Sequence, residues 1–230
     1  MPIKWNKNAQ KRKFVASYSG GKDSSLALYQ ALQMGEGIAL IVMLEEQGIK
    51  SRSHGMSLEI IHAQANAIGL PIYSAAATWQ NYENHFIQLL HKAKTLGAES
   101  LVTGDIDLIS HAEWNQSVCE KSELSLCMPL WQRPRLQIVQ EFIALGFKSM
   151  IVTVNLNLGM KAKDLGQILT SEYIDELMAR GIDPCGEAGE FHTTVLDGPI
   201  FKYPLSVIKS DILYHENYAF LPLQLEQRAI

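Results

Sequence analysis

The chain has 230 residues, 47% hydrophobic and 19% charged, a composition that supports a sizeable apolar core and excludes disordered and fibrous classes. Twenty Lys and Arg stand against 24 Asp and Glu, a net charge of -4, so no broad basic field favours nucleic acid or an anionic membrane. Cys119, Cys127 and Cys185 are too few for a disulfide framework, and no pair has the C-x-x-C spacing of a zinc or redox site, which fits a reducing, cytoplasmic setting. The first 13 residues are polar and basic, with Lys4, Lys7, Lys11, Arg12 and Lys13 reading as a solvated tail. The apolar run after them breaks at Ser19-Gly20-Gly21-Lys22, too soon for a signal-peptide core, and no stretch approaches the ~20 apolar residues that span a bilayer.

In chain order, short apolar or β-branched runs at 14–18, 38–44, 71–75, 100–103, 124–128 and 149–154 predict strands. Between them, helical periods predict helices over 24–34, 57–68, 81–96 and 135–145, the second through Leu58, Ile61, Ala65 and Ile68 and the third through Phe86, Leu89, Leu90 and Ala93. A glycine follows each (Gly35, Gly69, Gly97, Gly146), as expected of left-handed caps. This alternation is the grammar of βαβ units, and it predicts an α/β fold with a doubly wound, mostly parallel sheet. The last third reads differently: a helix over 163–180, a Gly-, Pro- and Glu-rich loop over 181–190, and extended segments at 193–196, 200–205 and 214–223. We therefore expect two domains, 1–155 for nucleotide binding and a smaller α+β subdomain over 156–230 for substrate.

Ser19-Gly20-Gly21-Lys22-Asp23-Ser24 follows the first strand and opens the first helix. Two glycines let backbone N–H groups face an anion without a Cβ in the way, the helix start adds positive potential, and Lys22 adds a mobile full charge. A polyphosphate suits such a loop. It is not a Walker A loop, which needs glycine where Ala16 stands and Ser or Thr where Asp23 stands, and no G-x-G-x-x-G is present. The bland alternative is a glycine turn before a helix capped by Asp23 or Ser24.

That loop has the S-G-G-K-D-S form of the PP-loop ATP pyrophosphatases, and the chain most resembles their diphthine-ammonia ligase family. The likeness extends over Gly69-Leu70-Pro71, Thr103-Gly104-Asp105-Ile106, Asn115 to Cys119, Pro129-Leu130-Trp131, Cys185-Gly186-Glu187-Ala188-Gly189-Glu190-Phe191-His192-Thr193 and Leu196-Asp197-Gly198-Pro199. Two departures stand out: Ala188 replaces the first of two glycines usual between the glutamates, and the Arg52-Ser53-His54-Gly55 segment is similar to the bacterial branch. Bacteria are not expected to contain diphthine, so the resemblance carries the ATP chemistry further than the substrate.

The resemblance implies an adenine nucleotide alpha hydrolase-like fold and a ligase that adenylates a carboxylate, releases pyrophosphate and forms an amide with ammonia or an amine. ATP would lie on Ser19, Gly20, Gly21, Lys22, Asp23, Ser24, Gly104 and Asp105, with Mg²⁺ on Asp23 and Asp105. Lys22, Glu187 and Glu190 are the expected catalytic residues, and His54, Gly189, His192 and Thr193 the expected substrate contacts. Asp105 follows the fourth strand, where a metal or ribose contact is within reach, although a turn aspartate has the same sequence signature. Glu187 and Glu190 flank Gly189 and could converge on one point to hold Mg²⁺, orient an amine or act as a base; an acidic solvated turn is the bland reading. His54 lies in a loop over 47–57 long enough to form a lid, and a surface histidine fits equally. His62, His85, His91, His111 and His215 have non-ligand spacings and read as surface residues; Cys185 has no basic neighbour in sequence to activate it.

The partners expected are a small-molecule or protein-borne carboxylate and ammonia or an amine; nucleic acid and membrane are not expected, and a homodimer is allowed for. Two other readings stay open. A tRNA-modifying relative shares the phosphate loop but calls for paired cysteines and a basic RNA face. A regulatory module would bind or hydrolyse ATP without ligation.

Overall fold

The computed structural model describes residues 12–52 and 55–226, which form two compact units. The first runs up to Ser19 and takes in Asp23–Leu58 and Gly69–Arg133; the second takes in Gly20–Lys22, Glu59–Ile68 and the described residues from Pro134 on.

The first unit carries five strands, β1 (Arg12–Ser17), β2 (Gly35–Leu44), β3 (Ile72–Ala76), β4 (Ser100–Val102) and β5 (Ser125–Cys127), paired in the order β3-β2-β1-β4-β5. Every pairing is parallel, with Phe14 opposite Ser100 and Ala16 opposite Leu40. The chain winds outward from β1 to β3 and then crosses back to β4 on the other side of β1. This is the reversal of strand order beyond whose carboxyl edge ligands bind in doubly wound sheets. Helices α3 (Tyr82–Thr95) and α4 (Ile109–Ser122) cover one face, burying Phe86, Leu90, Val118 and Cys119 against Val15, Ile41, Leu101 and Leu126. Trp114 and Trp131 pack partly buried against this cluster, and Trp114 Nε1 donates to Glu83.

The caps divide by residue. Gly69, Gly97 and Gly146 have φ of 87°, 96° and 84°, as predicted, but Gly35 begins β2 and is not left-handed. Sequence periodicity missed α4, whose buried face carries Asn115 and Ser122 and whose left-handed cap is Glu123 in place of a glycine.

The second unit departs from the expected elements. β6 (Lys148–Asn155), expected in the parallel sheet, pairs antiparallel with both β7 (Phe191–Asp197) and β10 (Tyr218–Phe220); β9 (Leu213–His215) completes the order β7-β6-β10-β9. The expected boundary at 155 therefore falls inside this unit, which also contains α5 (Arg135–Ala144) and most of α2 (Leu58–Ile68). The helix expected over 163–180 is a 3-10 turn at Ala162–Asp164 followed by α6 (Ser171–Ala179), interrupted by left-handed Gly166 and restarted by Thr170, whose hydroxyl accepts from Tyr173 N. Residues 200–205 form no strand; instead β8 (Val207–Lys209) and β11 (Leu223–Leu225) make a separate antiparallel pair. No helix among the described residues is long and apolar enough to cross a membrane.

Candidate functional site

In the first unit, the loops leaving β1 and β4 meet at the strand-order reversal. Ser19 and Ser24 hydroxyls lie 3.1 Å apart, and the next turn is anchored by Tyr18, whose buried hydroxyl sits 3.3 Å from Ser25 Oγ. Helix α1 (Lys22–Leu32) begins here, with Asp23 in its first turn. A Cβ on Gly104 would come within 2.8 Å of Asp23 C and Ser24 N, so the β4 loop rests on the backbone of that turn at a distance only glycine allows.

Beside it, Asp105 is braced by α4: Oδ2 accepts from Asn115 Nδ2 at 2.8 Å and Oδ1 lies 3.0 Å from His111 Nδ1. Burial works to raise its pKa, but hydrogen bonds led by His111 outweigh burial and hold the carboxyl below its ordinary range. Asp105 is thus a fixed anion. His111, read from sequence as a surface residue, is half exposed and helps to orient it.

In the second unit, Gly20–Lys22 is fastened to β7. Gly20, left-handed at φ 80°, presents its carbonyl to Val195 N at 2.9 Å and to Gln64 Nε2 at 3.0 Å. Lys22 N donates to Thr193 Oγ1 at 3.2 Å. The Lys22 ammonium, expected to be mobile, is buried: it donates to the Cys185 carbonyl and lies 5.6 Å from the centre of the Phe191 ring. Burial, and then the nearby Lys22 charge, push His192 down to about 4, so its imidazole is neutral at neutral pH.

The 181–190 loop is tied internally. Asp183 Oδ1 accepts from Cys185 N at 2.7 Å and from Glu187 N at 3.4 Å, while Oδ2 takes Arg135 Nη1 at 2.7 Å. Glu190 is buried and accepts from Asp183 N at 3.3 Å and Ala188 N at 3.0 Å. It therefore shapes the loop from inside, whereas Glu187 is only partly buried. The left-handed positions fall on Gly186 (φ 70°) and Gly189 (φ 89°), not on Ala188, so the departure from the two-glycine pattern costs no backbone strain. The Cys185 thiol is buried and donates to the Arg135 carbonyl at 3.1 Å.

The expected residues thus divide. Gly20, Gly21, Lys22, Glu187, Gly189, Glu190, His192 and Thr193 belong to the second unit, and Ser19, Asp23, Ser24, Gly104 and Asp105 to the first. His54 lies outside the described residues. Gln64, Asp183, Arg135 and Asn115 were not anticipated. Signals existed for two of them: Asn115 opens one of the stretches that carry the resemblance, and Gln64 is a glutamine between Ile61 and Ala65 on an otherwise apolar helical stripe. The described residues hold no group of three His, Cys, Asp or Glu that could cage a metal. Magnesium, however, is commonly held by one or two carboxylates together with substrate phosphates, and the ionised Asp105 carboxylate, oriented by Asn115 and His111, is of the type that suits an ion carried in by a nucleotide.

A parallel sheet in this order, with Ser-Gly-Gly-Lys-Asp-Ser after its first strand, defines the PP-loop class of adenine nucleotide alpha hydrolase-like folds. Within that class, residues 12–126 match the diphthamide synthase N-terminal domain and residues 134–228 the diphthamide synthase C-terminal domain; the chain belongs to the diphthamide synthase family. It is 27% identical over 237 residues to the diphthine–ammonia ligase of Mus musculus, covering 91% of this chain and 88% of that one. The Homo sapiens diphthine–ammonia ligase is 27% identical over 235 residues, with the same coverage. The Schizosaccharomyces pombe ligase is 24% identical over 229 residues, and the match spans only 38% of that longer protein. A crystal structure described as a predicted subunit of tRNA methyltransferase from Methanocaldococcus jannaschii has a TM-score of 0.46 and 15% identity, covering 81% of this chain and 98% of that one.

Proposed function

We propose that this protein is an ATP-dependent ligase that adenylates a carboxylate, with loss of pyrophosphate, and then forms an amide with ammonia or an amine. The observation that carries this reading is the attachment of Gly20–Lys22 to the strand introduced by the 181–190 loop, with Lys22 donating to the Cys185 carbonyl two residues before Glu187. The groups that would receive departing pyrophosphate and those that would meet the acyl acceptor are then parts of one tied network. The curated relatives, all named diphthine–ammonia ligase, give the reaction class.

In this reading a carboxylate oxygen of the substrate attacks the α-phosphorus and the bond to the β-phosphate oxygen breaks. The amine nitrogen then attacks the acyl carbon, AMP leaves with the electron pair of the acyl–oxygen bond, and the nitrogen loses a proton. The loop amides over 20–24 and the Lys22 ammonium meet the negative charge that builds on pyrophosphate, leaving the Cys185 carbonyl for that stronger partner. Asp105, held ionised by α4, orients the nucleotide and would hold Mg²⁺ together with Asp23; the ion, when bound, supplies further charge neutralisation on the phosphates. Glu187 serves the incoming amine, and neutral His192 offers a hydrogen bond without a second positive charge beside Lys22. The acid is a diphthine-like carboxylate, as the relatives' names suggest, borne by a protein or carried by a free small molecule.

The test is isotopic. Protein supplied with ATP, Mg²⁺, ¹⁵N-ammonium and a diphthine-bearing protein or a panel of small carboxylic acids should transfer ¹⁵N into an amide, with one AMP formed per amide. AMP formation without incorporated nitrogen would reject the ligase reading.

A further inference from the structure

Gln64 is fully buried on α2, and its carboxamide NH₂ lies 3.0 Å from the Gly20 carbonyl, 2.8 Å from the Val195 carbonyl and 3.3 Å from Thr194 Oγ1. Its other end, the equally buried Oε1, meets no donor among the described residues. A buried amide with one end unsatisfied loses its hydration without replacement, so as a core residue alone Gln64 is a poor choice beside leucine or methionine. What the NH₂ group does is join three elements: α2, the loop carbonyl at Gly20 and the edge strand β7.

That carbonyl matters because the C=O and N–H of one trans peptide point in opposite directions. Holding the Gly20 oxygen on Val195 N and Gln64 Nε2 turns the Gly21 N–H away from β7, and left-handed Gly20 makes the turn without strain. We infer that Gln64 is a positioning residue, setting the peptide plane of Gly20–Gly21 so that the loop presents amides, and not a carbonyl, to the β- and γ-phosphates. A carbonyl oxygen turned toward a polyphosphate would repel it, and the Gln64 amide joins Val195 N in removing that alternative.

The inference rests on the ATP reading above, and the ligands for its test are chosen to separate the two. The probes are ATP, inorganic pyrophosphate and AMP, the last lacking the phosphates in question; the variant is Gln64→Met, close in size and without the NH₂ donor. Calorimetry should show ATP and pyrophosphate binding weakened about tenfold, as expected for loss of one or two buried hydrogen bonds that hold the loop, with AMP binding unchanged. In steady state, KM for ATP should rise more than kcat falls. A folded variant binding ATP and pyrophosphate like the parent overturns the role of Gln64 while leaving ATP binding intact. A parent protein that binds neither ligand overturns both readings together. If Gln64→Met fails to fold, NMR of the unaltered protein decides: pyrophosphate should move the Gly21 amide signal among the most of any residue, and an unmoved Gly21 signal rejects the inference.

Discussion

Lys22 is placed where a charge has two uses. In this structure its ammonium satisfies the Cys185 carbonyl from a buried position, and in the proposed reaction the same group faces the leaving pyrophosphate. Lys22→Ala should therefore lower turnover on the order of 10²-fold or more, the usual cost of losing a donor to transition-state charge, as measured by AMP release at saturating ATP. Turnover within a few fold of the parent would reject that role. His192 gives a prediction of a different kind. Its folded pKa of about 4 lies below the ordinary 6.5, so the unfolded chain takes up the proton first as pH falls. The contribution to stability is complete above 6.5 and shrinks as pH drops from 6.5 toward 4. Urea unfolding across that window should show a loss of stability in the parent, and His192→Asn should flatten that slope. An unchanged slope would mean that the imidazole is not kept neutral by its surroundings.

At the level of elements, the β4 loop and the first turn of α1 approach each other closely. Gly104→Ala would put a Cβ 2.8 Å from backbone atoms of Asp23 and Ser24, and neither backbone can rotate out of the way as a side chain could. We expect destabilisation of about 1–3 kcal/mol by urea unfolding, typical of forced overpacking, together with weaker ATP binding. Equal stability would show that the loop gives way freely. Local signals made these elements readable: the two glycines and the lysine after an apolar run marked the phosphate loop, and glycine caps marked the ends of α2, α3 and α5. Helix α4 escaped because its signals are inverted, with polar Asn115 and Ser122 facing inward and Glu123 adopting the left-handed cap. The partners of Gln64 and Asp183 escaped for another reason. Gln64 reaches Gly20 and Val195, residues 44 and 131 positions away, and no local pattern encodes a contact of that range.

At the level of the whole molecule, the misplaced strand is instructive. β6 is buried from Ser149 to Val154 and reads like any strand buried on both faces, yet its neighbours run antiparallel. Pairing direction is decided by segments more than thirty residues downstream, so the composition of β6 carries no trace of it. The same long-range pairing brings β7, with His192 and Thr193 at its start, to the phosphate loop some 170 residues earlier in the chain. Local periodicity carries no trace of this conjunction. In the proposed reaction ATP loses its terminal two phosphates as a unit, with the loop over 19–24 holding both. The decisive measurement is the identity of the nucleotide product, by ³¹P NMR or chromatography of a turnover mixture with the accepted carboxylate and ammonium. AMP and pyrophosphate in equal amounts are predicted, and ADP with inorganic phosphate would contradict the account.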